Sequence, residues 1–295
     1  MMAALLMAAC GHRASKAGPA EGDSTVVDSA VFATDSISRE KTDTAVSVKV
    51  SIHWPSAGND SLTASIRSYI CEEIAAGLTM EGRPDVVLYK DGQTAVDSTV
   101  SQQFRYLMDG FMESKANGIP FDGMQYSYQL RIFKLEETDT YVTYLCNSEG
   151  FQGGAHGYAT SSGLTFRKSD GRRIGYHTEF NRKTLQTEIR DQTLFGKPQS
   201  PQLAALIREG VRSYFQSFQD STITDAELLD ELIGVNSVDS IPLPSCPPYF
   251  TRQGLCFCYQ QYEIAPYAAG MINFDIDYAK VRPLLSKEAA SLLKK

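Results

Sequence analysis

Four acidic side chains and one histidine are the residues whose types could support catalysis or ligand binding: Glu149, His156, Glu263, Asp275 and Asp277. Glycoside hydrolysis needs two carboxyl groups that flank the scissile bond, one as the acid and one as the base or nucleophile. If these carboxylates converge in space, they could supply such a pair, so a glycan hydrolase is one hypothesis. The sequence lacks the G-x-S-x-G, G-x-x-x-x-G-K-[ST], G-x-G-x-x-G and H-E-x-x-H signatures. We therefore assign no catalytic residue and favour a non-catalytic protein.

His156 lies in a glycine-rich stretch, residues 149–158, with glycines at positions 150, 153, 154 and 157. A glycine inside a helix or strand costs about 0.5–1 kcal/mol relative to alanine. The stretch should therefore be a strand connection or bulge where backbones approach closely or φ is positive. Two interpretations of His156 stay open, a hydrogen bond that pins the loop and a contact to a ligand. For the second, the candidate binding residues are Gly153, Gly154, His156, Gly157, Glu263 and Tyr267.

The cysteines and histidines predict neither a metal site nor a cofactor. The four histidines, at positions 12, 53, 156 and 177, are scattered, and the Cys256 and Cys258 pair has no partnering Cys or His pair nearby. Besides Cys10 there are five cysteines, so at least one thiol stays free even in an oxidising compartment. We expect a bridge from Cys246 to Cys256 or Cys258 across a hairpin.

The charge of the chain argues against nucleic acid as a partner. The formal net charge is -7, and no run of Lys and Arg with interleaved aromatics provides a basic face. An acidic surface suits a basic partner, or it serves solubility alone.

The first residues predict a location. Residues 1–9 are small and apolar, and Ala8-Ala9-Cys10 resembles a lipobox, so residues 1–10 are interpreted as a lipoprotein signal remnant with lipidation at Cys10. Residues 11–44 have little apolar content and are predicted to be a flexible tether. No later run approaches the roughly 20 apolar residues of a transmembrane helix. We expect a lipid-anchored envelope protein, periplasmic or on the cell surface; the alternative is a ragged cytosolic N-terminus.

Hydrophobic periodicity predicts the elements of the first folded half, residues 45–150. Alternation over residues 46–54 predicts a half-buried strand, and apolar spacing from Leu62 to Leu78 predicts a helix that begins at Asp60 or Ser61. We also expect a short strand at 86–89, a second helix that stops at Gly118, a hairpin at 125–147 and a strand at 158–167.

The second half, residues 151–295, is predicted to be more helical. Helices should run from Asn181 through Leu194, from the Ser200-Pro201 cap, and from the Thr224 to Glu227 capping box. Residues 248–262 and 271–277 are predicted strands. The pattern indicates an α+β fold of antiparallel sheets with helices packed on one face, in two intimately joined halves.

Two motifs resemble those of an extracytoplasmic family of unknown function. One is Phe151-Gln152-Gly153-Gly154-Ala155-His156-Gly157, followed by Leu164-Thr165-Phe166 and Asp170-Gly171. The other runs from Tyr262 through Pro266 and Tyr267 to Gly270, before a strand. That family forms the sensor part of RsiV-type anti-sigma factors and the non-catalytic part of PdaC-type deacetylases. The resemblance extends over residues 44–285.

The resemblance implies an α+β module that recognises an envelope ligand. The anti-sigma relatives bind lysozyme, a basic protein, through this module. The chain has neither the sigma-binding segment nor the His-x-x-x-His of the deacetylases, so neither activity transfers. Our leading hypothesis is a membrane-anchored lipoprotein that binds or senses a lysozyme-like protein or a cell-wall glycan. The alternatives are the envelope glycan hydrolase and a purely structural envelope role.

Overall fold

A six-stranded sheet organises the first half of the protein. The computed structural model describes residues 31–77, 85–119, 123–183 and 186–293. The strands of the sheet, in spatial and chain order, are β1 (Ala33–Thr42), β2 (Val46–Ala57), β3 (Tyr126–Glu137), β4 (Tyr141–Phe151), β5 (Tyr158–Arg167) and β6 (Arg173–Ile174). All neighbours are antiparallel except β2 and β3, which are parallel. The exception follows from the connection, because two helices carry the chain from β2 back to the start of β3.

Those helices, α1 (Asp60–Gly77) and α2 (Gly92–Ala116), cover one face of the sheet. The Asp91 side chain caps α2 by accepting a hydrogen bond from the Thr94 amide at 2.8 Å. The alternating residues of β2 from Val46 to Trp54 are buried, and they pack with the apolar stripe of α1 in one core. Within the described ranges, no helix combines the length and the apolar character needed to cross a membrane.

The second half has its own core. Its strands are the hairpin β7 (His177–Asn181) and β8 (Gln186–Arg190), and a sheet of β9 (Tyr249–Phe250), β10 (Leu255–Tyr259) and β11 (Ile272–Ile276). Its helices are α3 (Pro201–Gln216), α4 (Asp225–Asp230), α5 (Tyr278–Val281) and α6 (Lys287–Ser291), with 3₁₀ turns at Val238–Ser240, Tyr267–Ala269 and Arg282–Leu284. Helix α3 packs on β11, so closely that a Cβ on Gly210 would lie 2.1 Å from the Phe274 ring.

The two halves join at the outer face of β4 and β5. The fully buried hydroxyls of Thr143 and Thr165 lie 2.9 Å apart, and the Thr165 hydroxyl accepts a hydrogen bond from the Phe250 amide at 3.0 Å. The ring of Tyr249 rests on Gly163, where a Cβ would come within 2.2 Å of it. These contacts confirm the predicted α+β fold with joined halves. The predicted boundary between residues 150 and 151 falls inside β4.

Most predicted elements are present. The strand at 46–54, the helix that begins at Asp60, the hairpin and the strand at 158–167 are confirmed as β2, α1, β3 with β4, and β5. The Ser200 cap of α3 and the reciprocal capping box of Thr224 and Glu227 in α4 are confirmed as well.

Three predictions for individual segments are wrong. Residues 33–42 of the predicted tether form β1, which pairs with β2 along its whole length. Its side chains are mostly exposed on both faces, so its composition resembles that of a tether although its backbone is hydrogen-bonded. The predicted helix at 181–194 is instead the hairpin of β7 and β8, where the Asn181 carboxamide accepts from the Lys183 amide at 2.9 Å in a turn. The strand expected at 86–89 is irregular chain, with Val86, Val87 and Leu88 exposed.

The predicted disulfide is also wrong, because Cys246, Cys256 and Cys258 are free thiols. Burial raises the pKa of Cys246 and Cys258 to about 12 and that of Cys256 to about 11. At neutral pH these thiols are protonated and therefore poor nucleophiles. Cys10, the predicted lipidation site, lies outside the described residues.

Candidate functional site

The edge of β5 beyond its short pairing with β6 is covered by a segment of the second half. Gln261 accepts a hydrogen bond from the Ala159 amide at 3.1 Å, and Gln260 accepts from the Ser161 amide at 3.0 Å and donates to the Ser161 carbonyl at 2.7 Å. These side chains take the place of a neighbouring strand. They also bring the next residues of the chain to the connection between β4 and β5.

That connection contains the glycine-rich stretch. Gly153 and Gly154 have φ of +87° and +89°, and a Cβ on Gly157 would lie 2.6 Å from the Gly150 carbonyl oxygen. A Cβ on Gly150 would in turn lie 2.8 Å from the Ser127 carbonyl oxygen of β3. The stretch therefore combines positive φ with close backbone approach, both of which only glycine accommodates. This turn presents His156 at the surface.

His156 forms an aromatic cluster with Tyr262 and Tyr267. The His156 and Tyr267 rings stack with centroids 3.8 Å apart and an interplanar angle of 20°, and the Tyr262 ring lies 6.3 Å from His156 and 5.7 Å from Tyr267. The Gly157 carbonyl accepts from Nδ1 of His156 at 2.8 Å and from the Tyr267 hydroxyl at 3.1 Å. Because a carbonyl can only accept, Nδ1 carries the proton, and Nε2 can accept from the Tyr262 hydroxyl at 3.3 Å.

The Tyr262 ring is the most exposed part of this cluster and has an unusual backbone. The side chain is 56% exposed. Its φ is +64°, and the only other non-glycine residue with positive φ in the described ranges is Asp191. A bulky residue in this conformation is strained, and such strain concentrates at functional sites.

A polar groove begins beside the cluster. Its cavity has a volume of about 520 Å³ and lies on the outer face of the six-stranded sheet. Tyr267 and Gly157 form one end, and the floor includes Ser47 and Lys49 of β2, Ser127 and Gln129 of β3 and Glu149 of β4. The Lys49 ammonium lies 3.6 Å from the Glu40 carboxylate across the β1–β2 pair. Hydroxyl, amide and charged groups therefore line a groove that ends at the Tyr267 ring.

The structure brings some of the predicted site residues together and separates others. Gly153, Gly154, His156, Gly157 and Tyr267 lie in or beside the aromatic cluster. Glu263 instead faces a different cavity of about 1160 Å³ between the β7–β8 hairpin and α3, and its carboxylate accepts from the Ser245 and Gln260 amides at 2.5 and 2.7 Å.

The four carboxylates of the hydrolase hypothesis have separate surroundings. Glu149 lines the polar groove, whereas Glu263 faces the other cavity. Asp275 accepts from the Thr251 hydroxyl at 3.0 Å, and Asp277 caps α5 by accepting from the Ala279 amide at 2.7 Å. Asp275 thus pairs with a threonine hydroxyl and Asp277 caps a helix, and neither lines the groove of Glu149 or the cavity of Glu263.

Sequence reasoning missed Tyr262 and Glu73 as site residues. Nothing in the sequence marks a positive φ at a tyrosine. Glu73 did carry a signal, because it follows Tyr69 and Ile70 at helical spacing and so places a carboxyl group on the apolar stripe of α1.

The fold and this site define an α+β protein with an exposed aromatic cluster at the end of a polar groove. The profile of the DUF3298 family, described as a protein family of unknown function, matches residues 179–279. That range includes Tyr262 and Tyr267, and the glycine-rich stretch lies before it. No curated protein matches the chain.

Two solved structures of DUF3298 family proteins are similar to most of the chain. One, from Bacteroides fragilis NCTC 9343, has a TM-score of 0.65 and 18% sequence identity, covering 88% of this chain and 96% of its own. The other, from Pseudomonas aeruginosa PAO1, has a TM-score of 0.54 and 13% identity, covering 89% of this chain and 97% of its own. At these identities the likeness concerns the fold alone.

Proposed function

We propose that this protein is a non-catalytic binding module for a glycan of the cell envelope, anchored to the membrane by lipid at Cys10. The observation that carries the proposal is the aromatic cluster of His156, Tyr262 and Tyr267 at the end of the polar groove. The two motifs that resemble RsiV-type sensor modules lie at this place and support a recognition role.

The aromatic cluster suits the apolar face of a sugar ring, and the polar groove suits its hydroxyl groups. The electron-rich face of an aromatic ring attracts the C–H groups on the apolar side of a pyranose. The hydroxyl groups at its rim need donors and acceptors, which Ser127, Gln129 and Glu149 can supply along the groove floor. Tyr262 is the residue best placed to stack, since its side chain is 56% exposed.

A protein ligand such as lysozyme is the alternative that the family resemblance suggests. Stable protein interfaces bury about 1,200–2,000 Å² in total and are built around fully desolvated anchors. The site is instead a groove of about 520 Å³ on the face of the sheet, a volume that suits one or two sugar rings rather than the large contact area of a stable protein interface. We therefore commit to the glycan and make lysozyme an arm of the test.

Isothermal titration calorimetry with chitotetraose, soluble muropeptides and lysozyme tests the proposal. We expect the glycans to bind, and Tyr262→Ala to weaken binding by at least about tenfold, because stacked tyrosines are frequent hot spots. The control is Phe218→Ala, which removes another exposed aromatic side chain, on the turn after α3. If lysozyme binds and no glycan does, or if the two variants behave alike, the glycan proposal is wrong.

The lipid anchor is tested separately. In the full-length precursor expressed in a bacterium, Cys10→Ser should abolish incorporation of radiolabelled palmitate. Label that persists in this variant would contradict the anchor and leave the glycan proposal untouched.

A further inference from the structure

A second cavity lies on the helix side of the six-stranded sheet, on the opposite face from the polar groove. Its volume is about 240 Å³. The polar residues that line it are Glu73 of α1, Gln103 and Tyr106 of α2, Cys146 and Ser148 of β4, Gln152 after β4, and Tyr158 and Thr160 of β5. The cavity reaches the surface, since Tyr106 is 47% exposed and Thr160 is also exposed, so a ligand can enter it from solution.

Glu73 is the charged group of this cavity, and its charge is not balanced there. The nearest polar partners are hydroxyl and thiol groups, with the Ser162 hydroxyl 3.4 Å from its carboxylate and the Cys146 thiol as a hydrogen-bond donor. The nearby guanidinium of Arg173 donates instead to the two carboxylate oxygens of the neighbouring Glu72, at 2.6 and 2.8 Å. No Lys, Arg or His is among the described residues that line the cavity.

Two buried tyrosine hydroxyls near Glu73 also lack hydrogen bonds of normal geometry. They belong to Tyr69, one turn before Glu73 on α1, and to Tyr128, which packs against Gly77 at the cavity wall. An unsatisfied buried polar group costs about 1–3 kcal/mol. Both hydroxyls adjoin residues that line the cavity, since Tyr128 packs against Gly77 and Tyr69 precedes Glu73 by one helical turn.

We infer that this cavity binds a small organic cation, whose ammonium group pairs with the Glu73 carboxylate. An anion would be repelled by Glu73, and a neutral ligand would leave the carboxyl group without its counter-charge. The rings of Tyr106 and Tyr158 line the same cavity and can contribute cation–π attraction. A metal ion is disfavoured, since the described residues contain no group of three His, Cys, Asp or Glu side chains arranged to hold one.

The inference predicts pH dependence with a defined sign. Burial raises the pKa of Glu73 above its ordinary value, so the carboxylate that the cation needs forms only as the pH rises. The groups that face Glu73 from the surrounding elements are Tyr69 and Glu72 of α1, Tyr106 of α2, Tyr128 of β3, Cys146 of β4, Tyr158 of β5, Arg173 of β6 and Cys246 before β9.

Burial raises the pKa of the cysteines and of Tyr69, Tyr128 and Tyr158, so they stay protonated below pH 8. For Glu72, burial alone would raise the pKa, but hydrogen bonds from Arg173 and Ser68 outweigh it and hold the pKa below its ordinary value. Glu73 is therefore the carboxyl group among them whose ionisation burial shifts to higher pH.

Titration of the full chain with choline tests the inference, because choline keeps its charge at every pH. Its uncharged control is 3,3-dimethyl-1-butanol, in which carbon replaces the quaternary nitrogen. We expect choline to bind more tightly as the pH is raised from 5 to 8, with release of a proton, and the alcohol to bind at least about tenfold more weakly at pH 8. Absence of choline binding, or equal affinity for the alcohol, would overturn the inference without any variant.

Glu73→Gln adds a second test, with Asp60→Asn, which removes an exposed carboxylate in the first turn of the same helix, as its control. Glu73→Gln should remove the pH dependence and weaken choline binding at least about tenfold, whereas Asp60→Asn should leave both unchanged. Retained affinity and pH dependence in Glu73→Gln would contradict the inference. Tyr158 borders both cavities, but Tyr262 does not line the cavity of Glu73, so Tyr262→Ala should not change choline binding and the two proposals can fail independently.

Discussion

Tyr262 shows how a single residue can be kept in an unfavourable conformation. Its φ of +64° places a side chain with a Cβ in a region that glycine occupies freely. The conformation is held by the neighbouring Gln260 and Gln261, which bind the edge of β5, and by the hydroxyl contact to His156. The proposed role in glycan stacking gives a reason for retaining tyrosine at this position.

This strain predicts that two substitutions of Tyr262 differ in stability although they lose binding equally. The free energy of unfolding of Tyr262→Gly should be about 1 kcal/mol higher than that of Tyr262→Ala, because glycine relieves the positive φ and alanine does not. Both variants should lose glycan affinity to the same extent. Urea unfolding followed by circular dichroism measures the difference, and equal stabilities would show that the backbone at this position is not strained.

For single residues, the sequence predicts the backbone features of the glycine-rich stretch but not its contacts with distant residues. Four glycines around His156 predicted close backbone approach and positive φ; positive φ occurs at Gly153 and Gly154, and close backbone approach occurs at Gly150 and Gly157. The stacking of His156 on Tyr267 joins residues 111 positions apart, and no local pattern encodes such a contact. His156 has the predicted loop-pinning hydrogen bond, so its structural role and its place in the cluster coexist.

Among the elements, β5 connects the two halves and tolerates little change. A Cβ at position 163 would lie 2.2 Å from the Tyr249 ring of β9, so any residue other than glycine would clash with it. Gly163→Ala should therefore lower the free energy of unfolding by about 1–3 kcal/mol, as overpacking of a core does.

Gly196→Ala is the control for this prediction. The nearest atom to a Cβ at position 196 is 3.5 Å away, an ordinary contact, and its φ is not in the positive region. Its effect should lie within about 0.5 kcal/mol. A loss of stability as large in Gly196→Ala as in Gly163→Ala would show that the Tyr249 contact is not the cause.

The elements with strong periodicity were predictable, and those that depend on long-range pairing were not. Alternation in β2 and caps such as Thr224 are local signals with a direct physical cause. The sequence predicts a helix where the β7–β8 hairpin lies, because asparagine is common both as a helix cap and as a turn residue, and Asn181 is the latter. Strand β1 was missed because it is held by backbone hydrogen bonds to β2 rather than by buried side chains.

Over the whole molecule, the two cores are linked by polar contacts as well as by packing. The Glu288 carboxylate of α6 pairs with Arg167 and Arg172 of the first sheet at 2.8 and 2.9 Å. The Thr140 hydroxyl donates to the Leu292 carbonyl at 2.6 Å. Because β4 and β5 contribute one face to each half, neither core is complete alone.

The full chain should therefore unfold in one cooperative transition, and fragments 45–150 and 151–295 should not fold separately. The cut falls inside β4 and leaves Tyr144 without Phe166, whose ring lies 6.3 Å away in the intact protein. Differential scanning calorimetry measures this. A cooperative transition in either fragment, or two separate transitions in the full chain, would contradict the single folding unit.

The most direct test of the central claim is an NMR titration of the isotope-labelled protein with chitotetraose and muropeptides. We predict that the amide signals of Gly153, Gly154 and Gly157, the side chain of His156 and the amides of Tyr262 and Tyr267 shift in a saturable manner. Signals around Gly234 and Ser240, which line the separate cavity of Glu263, should stay in place. An unchanged spectrum, or shifts confined to that other cavity, would contradict glycan binding at the aromatic cluster.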